Sequence, residues 1–278
     1  MVASVPGTQL LISLLPRLFP HASVAILGPT YGEYARSFDA AGHRVVEAST
    51  LDALADAPCA ILCNPNNPDG RPFDACTLLA LARQRVGDGL LIVDESFADL
   101  ESDGLSLASY LPLPGVLVLR SLSKSYGLGG VRLGFALADP NIAASIRAAL
   151  GPWPVSGPAV EIGSLALADR AWREAAKQRL AQDVIRLDGM LRVAGMTVAG
   201  GRSCSDAAKA ARPLLVPASR RGWHSRAHLR LSPRLASLRH PWRRGGVAAA
   251  FCRALHHLGR HRAGNSRTVQ LRLTMAFY

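Results

Sequence analysis

The segment from residue 116 to residue 132 has the sequence VLVLRSLSKSYGLGGVR. Its first part is apolar up to Arg120 and is typical of a buried β-strand. The rest is a turn rich in serine and glycine, with Lys124 near its centre and Arg132 at its end. Polar side chains directly after a buried strand are typical of α/β folds, whose sites lie at the carboxyl ends of parallel strands. We therefore predict an α/β protein with a site at this turn.

Short apolar runs and amphipathic stretches alternate on both sides of this segment. Val116–Arg120 is one predicted strand, and the other apolar runs predict strands at 23–27, 45–47, 60–63, 90–94 and 133–138. The amphipathic stretches predict helices at 8–18, 31–40, 74–86, 141–150 and 158–193, with Thr8 and Asp74 as N-caps. This alternation favours a three-layer α/β sandwich with a mostly parallel sheet.

Three other strands of the predicted sheet also end in unusual polar turns. These turns are GPTYGEY at 28–34, NPNNPDG at 64–70 and DESF at 94–97. Because the carboxyl ends of parallel strands share one edge of the sheet, we expect all of these turns to face the same crevice as Lys124.

Lys124 is one of only three lysines in the chain and lies between hydroxyl groups and glycines. A loop lysine is usually a solvated surface charge, but a desolvated lysine beside other cations loses its proton more readily and can form a Schiff base. The hydroxyls of Ser121 and Ser123 and the guanidinium of Arg132 could hold a dianionic phosphate beside it. Further donors are expected from the start of the first helix, at Gly7, Thr8 and Gln9.

Three other polar residues each have a structural and a functional interpretation. Asp94 closes an apolar strand and is either a helix cap or salt-bridge partner, or the counter-ion of a protonated pyridine nitrogen. Asn67 is either a turn former beside Pro68 or a donor to a ring hydroxyl. Tyr31 is either a core aromatic or a ring that stacks on a flat cofactor.

Four motifs, in this order along the chain, resemble those of the fold-type I pyridoxal-phosphate enzymes, the class I and II aminotransferase superfamily. They are PGTQ at 6–9, NNPDG at 66–70, DESF at 94–97, and SLSK at 121–124 with Arg132 eight residues after the lysine. The resemblance covers about residues 2–199. It implies the large domain of the pyridoxal-phosphate-dependent transferases and pyridoxal 5′-phosphate as the cofactor.

The resemblance also implies roles for individual residues. Lys124 would form a Schiff base with the cofactor, Asp94 would pair with its pyridine nitrogen, and Tyr31 would stack on its ring. These three are the predicted catalytic residues. Asn67 would bind the 3′-oxygen of the ring. The phosphate would be held by Thr8, Ser121, Ser123 and Arg132.

Within the superfamily, the chain resembles the threonine-phosphate decarboxylases of cobalamin biosynthesis and, as the alternative, the histidinol-phosphate aminotransferases. Phe97 stands where aminotransferases usually carry a tyrosine that bonds the 3′-oxygen, and with the run LGPWPVSGP at 150–158 it favours the decarboxylases. This resemblance implies decarboxylation of L-threonine O-3-phosphate to (R)-1-amino-2-propanol O-2-phosphate. An aminotransferase would instead use Lys124 to remove the Cα proton.

The charge of the chain changes sharply after residue 199. Residues 1–199 carry 16 Lys and Arg against 19 Asp and Glu, whereas residues 200–278 carry 16 against one. The tail is a nucleic-acid-binding arm, a small domain, or an out-of-frame translation of a GC-rich gene. Its near lack of lysine and its scattered prolines favour the third interpretation. We therefore expect a tail without a stable fold and no nucleic-acid partner.

These observations predict three parts of the chain. Residues 1–157 would form the cofactor-binding large domain, 158–199 a long linking helix and the start of a small domain, and 200–278 the basic tail. Members of the superfamily carry some tens of residues before the PGTQ turn, and an arginine for the substrate carboxylate in a C-terminal small domain. Since neither is recognisable here, we expect an incomplete N-terminus, a degraded or absent small domain, and weak or no turnover.

The sequence also bears on location and partners. Five scattered cysteines without a CxxC pair favour a reducing cytoplasm and predict no metal site. Neither a signal peptide nor a membrane-spanning run is recognisable. The expected partner is a small phosphorylated amino acid. The resemblance implies a homodimer with shared active sites, which this sequence does not itself predict.

Overall fold

The computed structural model describes residues 1–85, 89–101, 104–193, 227–229 and 269–271. Its main sheet has seven strands. They are β1 (Val2–Val5), β2 (Ser23–Leu27), β3 (Arg44–Ala48), β4 (Cys59–Cys63), β5 (Leu90–Asp94), β6 (Val116–Ser121) and β7 (Gly134–Ala138). Their order across the sheet is β1-β7-β6-β5-β4-β2-β3.

Most of the strand pairs in this sheet are parallel. Strands β6, β5, β4, β2 and β3 pair in parallel, whereas β7 is antiparallel to both β6 and β1. In this register Cys63, at the end of β4, lies opposite Asp94, at the end of β5. Ser121, at the end of β6, lies opposite Gly134. The predicted mostly parallel sheet is confirmed, and the polar turns lie at the carboxyl edge of its parallel strands.

Helices connect the strands and cover the sheet. They are α1 (Thr8–Leu14), α2 (Glu33–Ala40), α3 (Ala75–Gln84), α4 (Pro140–Leu150), α5 (Gly157–Ala168) and α6 (Arg170–Val193). Short 3-10 turns lie at Leu15–Arg17, Asp52–Leu54, Ala98–Leu100, Ala108–Tyr110 and Gly129–Val131. A separate antiparallel pair joins β8 (Ala227–Leu229) and β9 (Val269–Leu271).

Two apolar clusters lie on opposite faces of the sheet. One joins Ile92 of β5 to Phe38 of α2 and Ile146 of α4. The other joins Val93 of β5 to Leu78 of α3. Strands β4 and β5 are buried along their whole length, as expected for parallel strands covered on both faces. Full burial of each large apolar side chain stabilises the fold by roughly 1.5–3 kcal/mol. The three-layer arrangement is therefore confirmed.

Three local features differ from the sequence predictions. Strand β1 was not predicted, because its residues alternate between exposed and buried and form no apolar run. The predicted N-cap at Thr8 is wrong, because Gly7 is the N-cap residue of α1 and has no side chain that could accept a hydrogen bond. Asp74 caps α3 as predicted, and its side chain accepts from the Thr77 amide. The single helix at 158–193 is wrong as well. It is divided at Asp169, whose carboxylate accepts from the Trp172 amide at 2.8 Å.

The predictions for the tail at 200–278 lie outside the described residues, apart from β8 and β9. Within the described part of the chain, no helix is both long and apolar enough to cross a bilayer. The same residues contain no group of three or more His, Cys, Asp and Glu side chains arranged to hold a metal ion.

Candidate active site

Asp94 lies at the carboxyl end of β5 and is 8% exposed. The Tyr34 hydroxyl donates to its Oδ2 at 2.7 Å, and the Ser96 amide donates to its Oδ1 at 2.9 Å. Burying a carboxylate without such donors would be costly. Both oxygens are therefore held by neutral donors, and the carboxylate has a defined orientation.

Cys63 lies opposite Asp94 in the sheet and contacts two of the polar turns. The Thr30 hydroxyl lies 2.6 Å from the side-chain oxygen of Asn66 and 3.3 Å from the Cys63 sulfur. The backbone amides of Tyr31 and Asn67 also approach this sulfur. Burial and the nearby Asp94 charge raise the pKa of the Cys63 thiol, so it stays protonated. The turns that carry Tyr31 and Asn67 thus meet beside Asp94.

Tyr31 is 39% exposed, and its hydroxyl is held by a short polar chain. Glu33 accepts from the Gln9 amide nitrogen at 3.2 Å, and Tyr31 donates to the Gln9 oxygen at 3.0 Å. Because a carboxylate only accepts, Gln9 must turn its nitrogen toward Glu33 and its oxygen toward Tyr31. The Tyr31 ring lies edge-on to Tyr34, with centroids 6.5 Å apart. Burial, Glu33 and Asp94 raise the pKa of Tyr31, which stays a neutral phenol.

Lys124 lies in the turn after β6 and is half-buried. Burial lowers the pKa of its amine, and the positive charge of Arg132 lowers it further, while the Asp94 carboxylate acts in the opposite direction. In the sheet Asp94 lies opposite Leu119, and the turn between β6 and β7 carries both Lys124 and Arg132, so the three residues lie at one edge of the sheet. The lowered pKa means that the Lys124 amine loses its proton more readily than an ordinary lysine does.

Backbone geometry forms a cradle for an anion beside Lys124. Gly7 has a φ of 85°, and a Cβ at this position would overlap the Arg132 guanidinium. In the sheet, Gly134 pairs with both Val5 and Ser121, so the start of α1 lies beside the end of β6. Ser121 is buried and its hydroxyl accepts from the Ser123 amide at 3.2 Å. Exposed Arg132, the serine hydroxyls and the first amides of α1 can therefore converge on one anion.

All the predicted site residues lie at this carboxyl edge of the sheet. Sequence reasoning missed three residues that hold the predicted ones in place: Tyr34, Thr30 and Cys63. Only Tyr34 carried a usable signal, since it closes the polar turn at 28–34 that also carries Tyr31. Gln9, predicted to contact phosphate, uses its side chain for Tyr31 and Glu33.

A mostly parallel sheet covered by helices on both faces, with these turns at its carboxyl edge, has the architecture of the large domain of the pyridoxal-phosphate-dependent transferases. A sequence model of one family within this structural class matches the chain. The chain belongs to the family of class I and II aminotransferases, whose model matches residues 1–205.

Individual relatives refine this similarity. The chain is 45% identical over 205 residues to a threonine-phosphate decarboxylase of Sinorhizobium, covering 71% of this chain and 60% of the relative. It is 39% identical over 204 residues to that of Pseudomonas aeruginosa, covering 72% and 61%. The chain thus spans about three fifths of the length of these curated relatives. Histidinol-phosphate aminotransferase from Sinorhizobium meliloti, solved with pyridoxal 5′-phosphate, superposes with a TM-score of 0.64 at 26% identity, covering 73% of this chain and 59% of that one.

Proposed function

We propose that this chain catalyses the pyridoxal-phosphate-dependent decarboxylation of L-threonine O-3-phosphate. The products would be (R)-1-amino-2-propanol O-2-phosphate and carbon dioxide, a step of cobalamin biosynthesis. The observation that carries the proposal is the position of Lys124, Asp94 and Arg132 at one edge of the sheet, where Asp94 ends β5 and the other two lie in the turn between the neighbouring strand β6 and β7. The two threonine-phosphate decarboxylase relatives support this choice of substrate and reaction.

The residues present fit pyridoxal phosphate. Gly7 leaves room for the Arg132 guanidinium, which with Ser121 and the amides of α1 matches a phosphate group. The oriented carboxylate of Asp94 matches a protonated ring nitrogen. When bound, the cofactor supplies an electrophilic aldehyde and a cationic ring that withdraws electrons from the bond that breaks.

The other side chains prepare the site for this chemistry. Lys124, with its lowered pKa, offers a neutral amine to an aldehyde more readily than an ordinary lysine does. Tyr31, whose hydroxyl is held by Gln9, offers a ring on which the cofactor can stack. Asn67, whose backbone amide approaches the Cys63 sulfur, would donate from its side chain to the 3′-oxygen.

Lys124 also has a part in the reaction outcome. After carbon dioxide leaves, its ammonium form would return a proton to Cα. In an aminotransferase the neutral amine would instead remove the Cα proton. The residue types of the site suit both outcomes, so the assignment to decarboxylation rests on the relatives and on Phe97.

A homodimer, a cytoplasmic location and the predicted domain division belong to the same proposal. Helix α5 exposes the apolar side chains of Val160, Ile162 and Leu165, and Trp153 before it is 91% exposed. Apolar surface of this kind is typical of protein interfaces. The three described cysteines are free, in agreement with a reducing compartment. Residues 1–157 would then hold the cofactor, and α5 with α6 would lead into a small domain.

A cofactor titration tests the proposal most directly. The purified full chain should develop a yellow visible absorbance band when pyridoxal phosphate is added, and Lys124→Ala should abolish this band because the attacking amine is gone. Lys177→Ala provides the matched control and should keep the band. Absence of the band in the wild-type chain would refute the assignment of the cofactor.

A second measurement separates the two reactions. Carbon dioxide released from L-threonine O-3-phosphate supports the decarboxylase. Amino-group transfer from histidinol phosphate to 2-oxoglutarate, without release of carbon dioxide, would assign the chain to the aminotransferases instead.

A further inference from the structure

Tyr34 is a fully buried tyrosine whose hydroxyl reaches the functional carboxylate from the core side. It belongs to the first turn of α2, whereas Asp94 ends β5, so their contact joins residues 60 positions apart in the chain. The Tyr34 ring is 0% exposed and packs in the same apolar cluster as Phe38 and Ile92. The core therefore fixes the position of this hydroxyl independently of any ligand.

The Tyr34 hydroxyl is the donor in its hydrogen bond with Asp94. Burial raises the pKa of Tyr34 well above its ordinary value, and the Asp94 charge raises it further. The phenol therefore stays protonated and donates to Oδ2, while Oδ1 accepts from the Ser96 amide. A carboxylate has about four acceptor positions, so two fixed donors orient Asp94 and still leave it able to accept from a ligand.

We propose that Tyr34 is a positioning residue, whose hydroxyl holds the Asp94 carboxylate in the orientation that receives the protonated ring nitrogen of the cofactor. This inference rests on the proposed function, because it assumes pyridoxal phosphate as the ligand. Because Tyr34 is fully buried, it would contact neither cofactor nor substrate. It acts only through Asp94, and its effect therefore depends on a ring nitrogen being present.

That dependence distinguishes the positioning role from a merely structural one. If Tyr34 only satisfied a buried carboxylate, its removal would weaken the fold and would affect every ligand of the site equally. If it orients Asp94 toward the ring nitrogen, its removal should affect ligands that carry this nitrogen and spare those that lack it. The 1-deaza analogue of pyridoxal phosphate keeps the aldehyde and the phosphate but has carbon in place of the nitrogen.

The experiment measures dissociation constants of pyridoxal phosphate and of the 1-deaza analogue for the full chain and its variants. Tyr34→Phe should weaken binding of pyridoxal phosphate roughly tenfold, the size expected for a hydrogen bond to a charged group. The same variant should bind the analogue as the wild-type chain does. In an Asp94→Asn background, Tyr34→Phe should have no further effect on either ligand. Tyr110→Phe makes the same chemical change at a half-exposed position and should alter neither constant.

Each contrary result has a distinct meaning. A wild-type chain that fails to bind pyridoxal phosphate overturns the proposed function and this inference with it. A wild-type chain that binds, combined with equal losses for both ligands in Tyr34→Phe or with no loss, overturns the inference alone. Circular dichroism and thermal melting establish that each variant is folded.

Should Tyr34→Phe not fold, the same contrast can be measured without a substitution. The chain is labelled with 3-fluorotyrosine, and its five tyrosine signals are followed by fluorine NMR. Tyrosine-to-phenylalanine changes at the other positions identify the Tyr34 signal. That signal should move on binding of pyridoxal phosphate and stay in place with the 1-deaza analogue. Equal movement with both ligands would overturn the inference.

Discussion

Asp94 and Glu95 are consecutive buried carboxylates with different surroundings. Glu95 is 0% exposed and pairs with Arg120 at 2.8 Å, while the Ser106 hydroxyl and the Leu107 amide donate to its two oxygens at 2.6 and 2.7 Å. Asp94 is bonded by the neutral donors Tyr34 and Ser96. The charge of Glu95 is thus balanced by a guanidinium within the fold, whereas the charge of Asp94 is oriented toward the site.

The contrast separates a structural role from a functional one at neighbouring positions. Arg120 also pairs with Asp99, so the Glu95 network ties β6 to the connection that follows β5. Breaking a buried ion pair by removing one partner leaves an uncompensated charge. A carboxylate whose hydrogen-bond donors, such as Tyr34 and Ser96, are neutral can still attract a cationic ligand. We therefore expect Glu95 to determine stability and Asp94 to determine cofactor binding.

The largest effect should come from breaking the Glu95 network. Glu95→Ala should lower the free energy of unfolding by about 3–5 kcal/mol, because Arg120 loses its most buried partner. Asp94→Asn should lower it by only about 1 kcal/mol, because the amide keeps an acceptor oxygen and removes a buried charge, and it should strongly weaken binding of pyridoxal phosphate. Urea denaturation and cofactor titration of the full chain measure the two quantities separately.

Because Glu33 also holds Gln9 beside Tyr31, Glu33→Ala is a suitable control for the stability measurement alone. Its partner Arg36 has a side chain 67% exposed, and an exposed pair of this kind contributes less than about 1 kcal/mol. Equal losses of stability at positions 94 and 95 would contradict the division of roles.

The sequence allowed much of the sheet to be predicted, but not what positions Asp94. Strands Ser23–Leu27 and Leu90–Asp94 were predicted with correct bounds, because a strand buried on both faces is a continuous apolar run. The β1 edge strand lacks that signal, since only one of its faces is buried. The pattern of apolar residues in a sequence reflects how a segment is buried, so it predicts central strands more reliably than edge strands.

The contacts within the site depend on tertiary packing and could not be predicted in the same way. The polar turns predicted that Lys124, Asp94 and Arg132 share one edge of the sheet, and the strand topology puts the turns that carry them at that edge. The Tyr34 contact spans 60 residues, and no local pattern specifies which buried hydroxyl reaches a given carboxylate. The absence of a cap at Thr8 likewise follows from the backbone of Gly7, which must pass beside the Arg132 guanidinium.

A smaller effect is expected at Gly7, on the anion side of the site. Gly7→Ala places a Cβ at a φ of 85°, which costs roughly 1–3 kcal/mol of stability, and this Cβ would displace the Arg132 guanidinium. Gly151→Ala has a similar φ of 73° and meets no atom within 4 Å, so it shares the backbone cost alone. Cofactor titration should show weaker binding for Gly7→Ala only. Equal binding in both variants would exclude Arg132 displacement as a cause.

The smallest effect concerns the pKa of Lys124. This pKa is lowered by burial and by Arg132 and is raised by Asp94. Removal of the Arg132 charge and removal of the Asp94 charge should therefore shift the pKa in opposite directions. Arg132→Gln should raise the pKa toward its ordinary value, and Asp94→Asn should lower it further. The measurement is the pH profile of visible absorbance on adding pyridoxal, which has the aldehyde but no phosphate and so does not require the Arg132 cradle.

The sign of the linked effect on stability follows from proton binding. Because the folded pKa of Lys124 lies below its unfolded value, the unfolded chain binds more protons in the interval between the two. The contribution of Lys124 to the free energy of unfolding should therefore rise with pH through that interval, and Lys124→Ala should remove this rise. Added salt should reduce the shift caused by Arg132, since that guanidinium is exposed, and should affect the part caused by burial much less. If the pH profile of visible absorbance shifts in the same direction for Arg132→Gln and Asp94→Asn, the two charges do not have opposite effects on the pKa of Lys124.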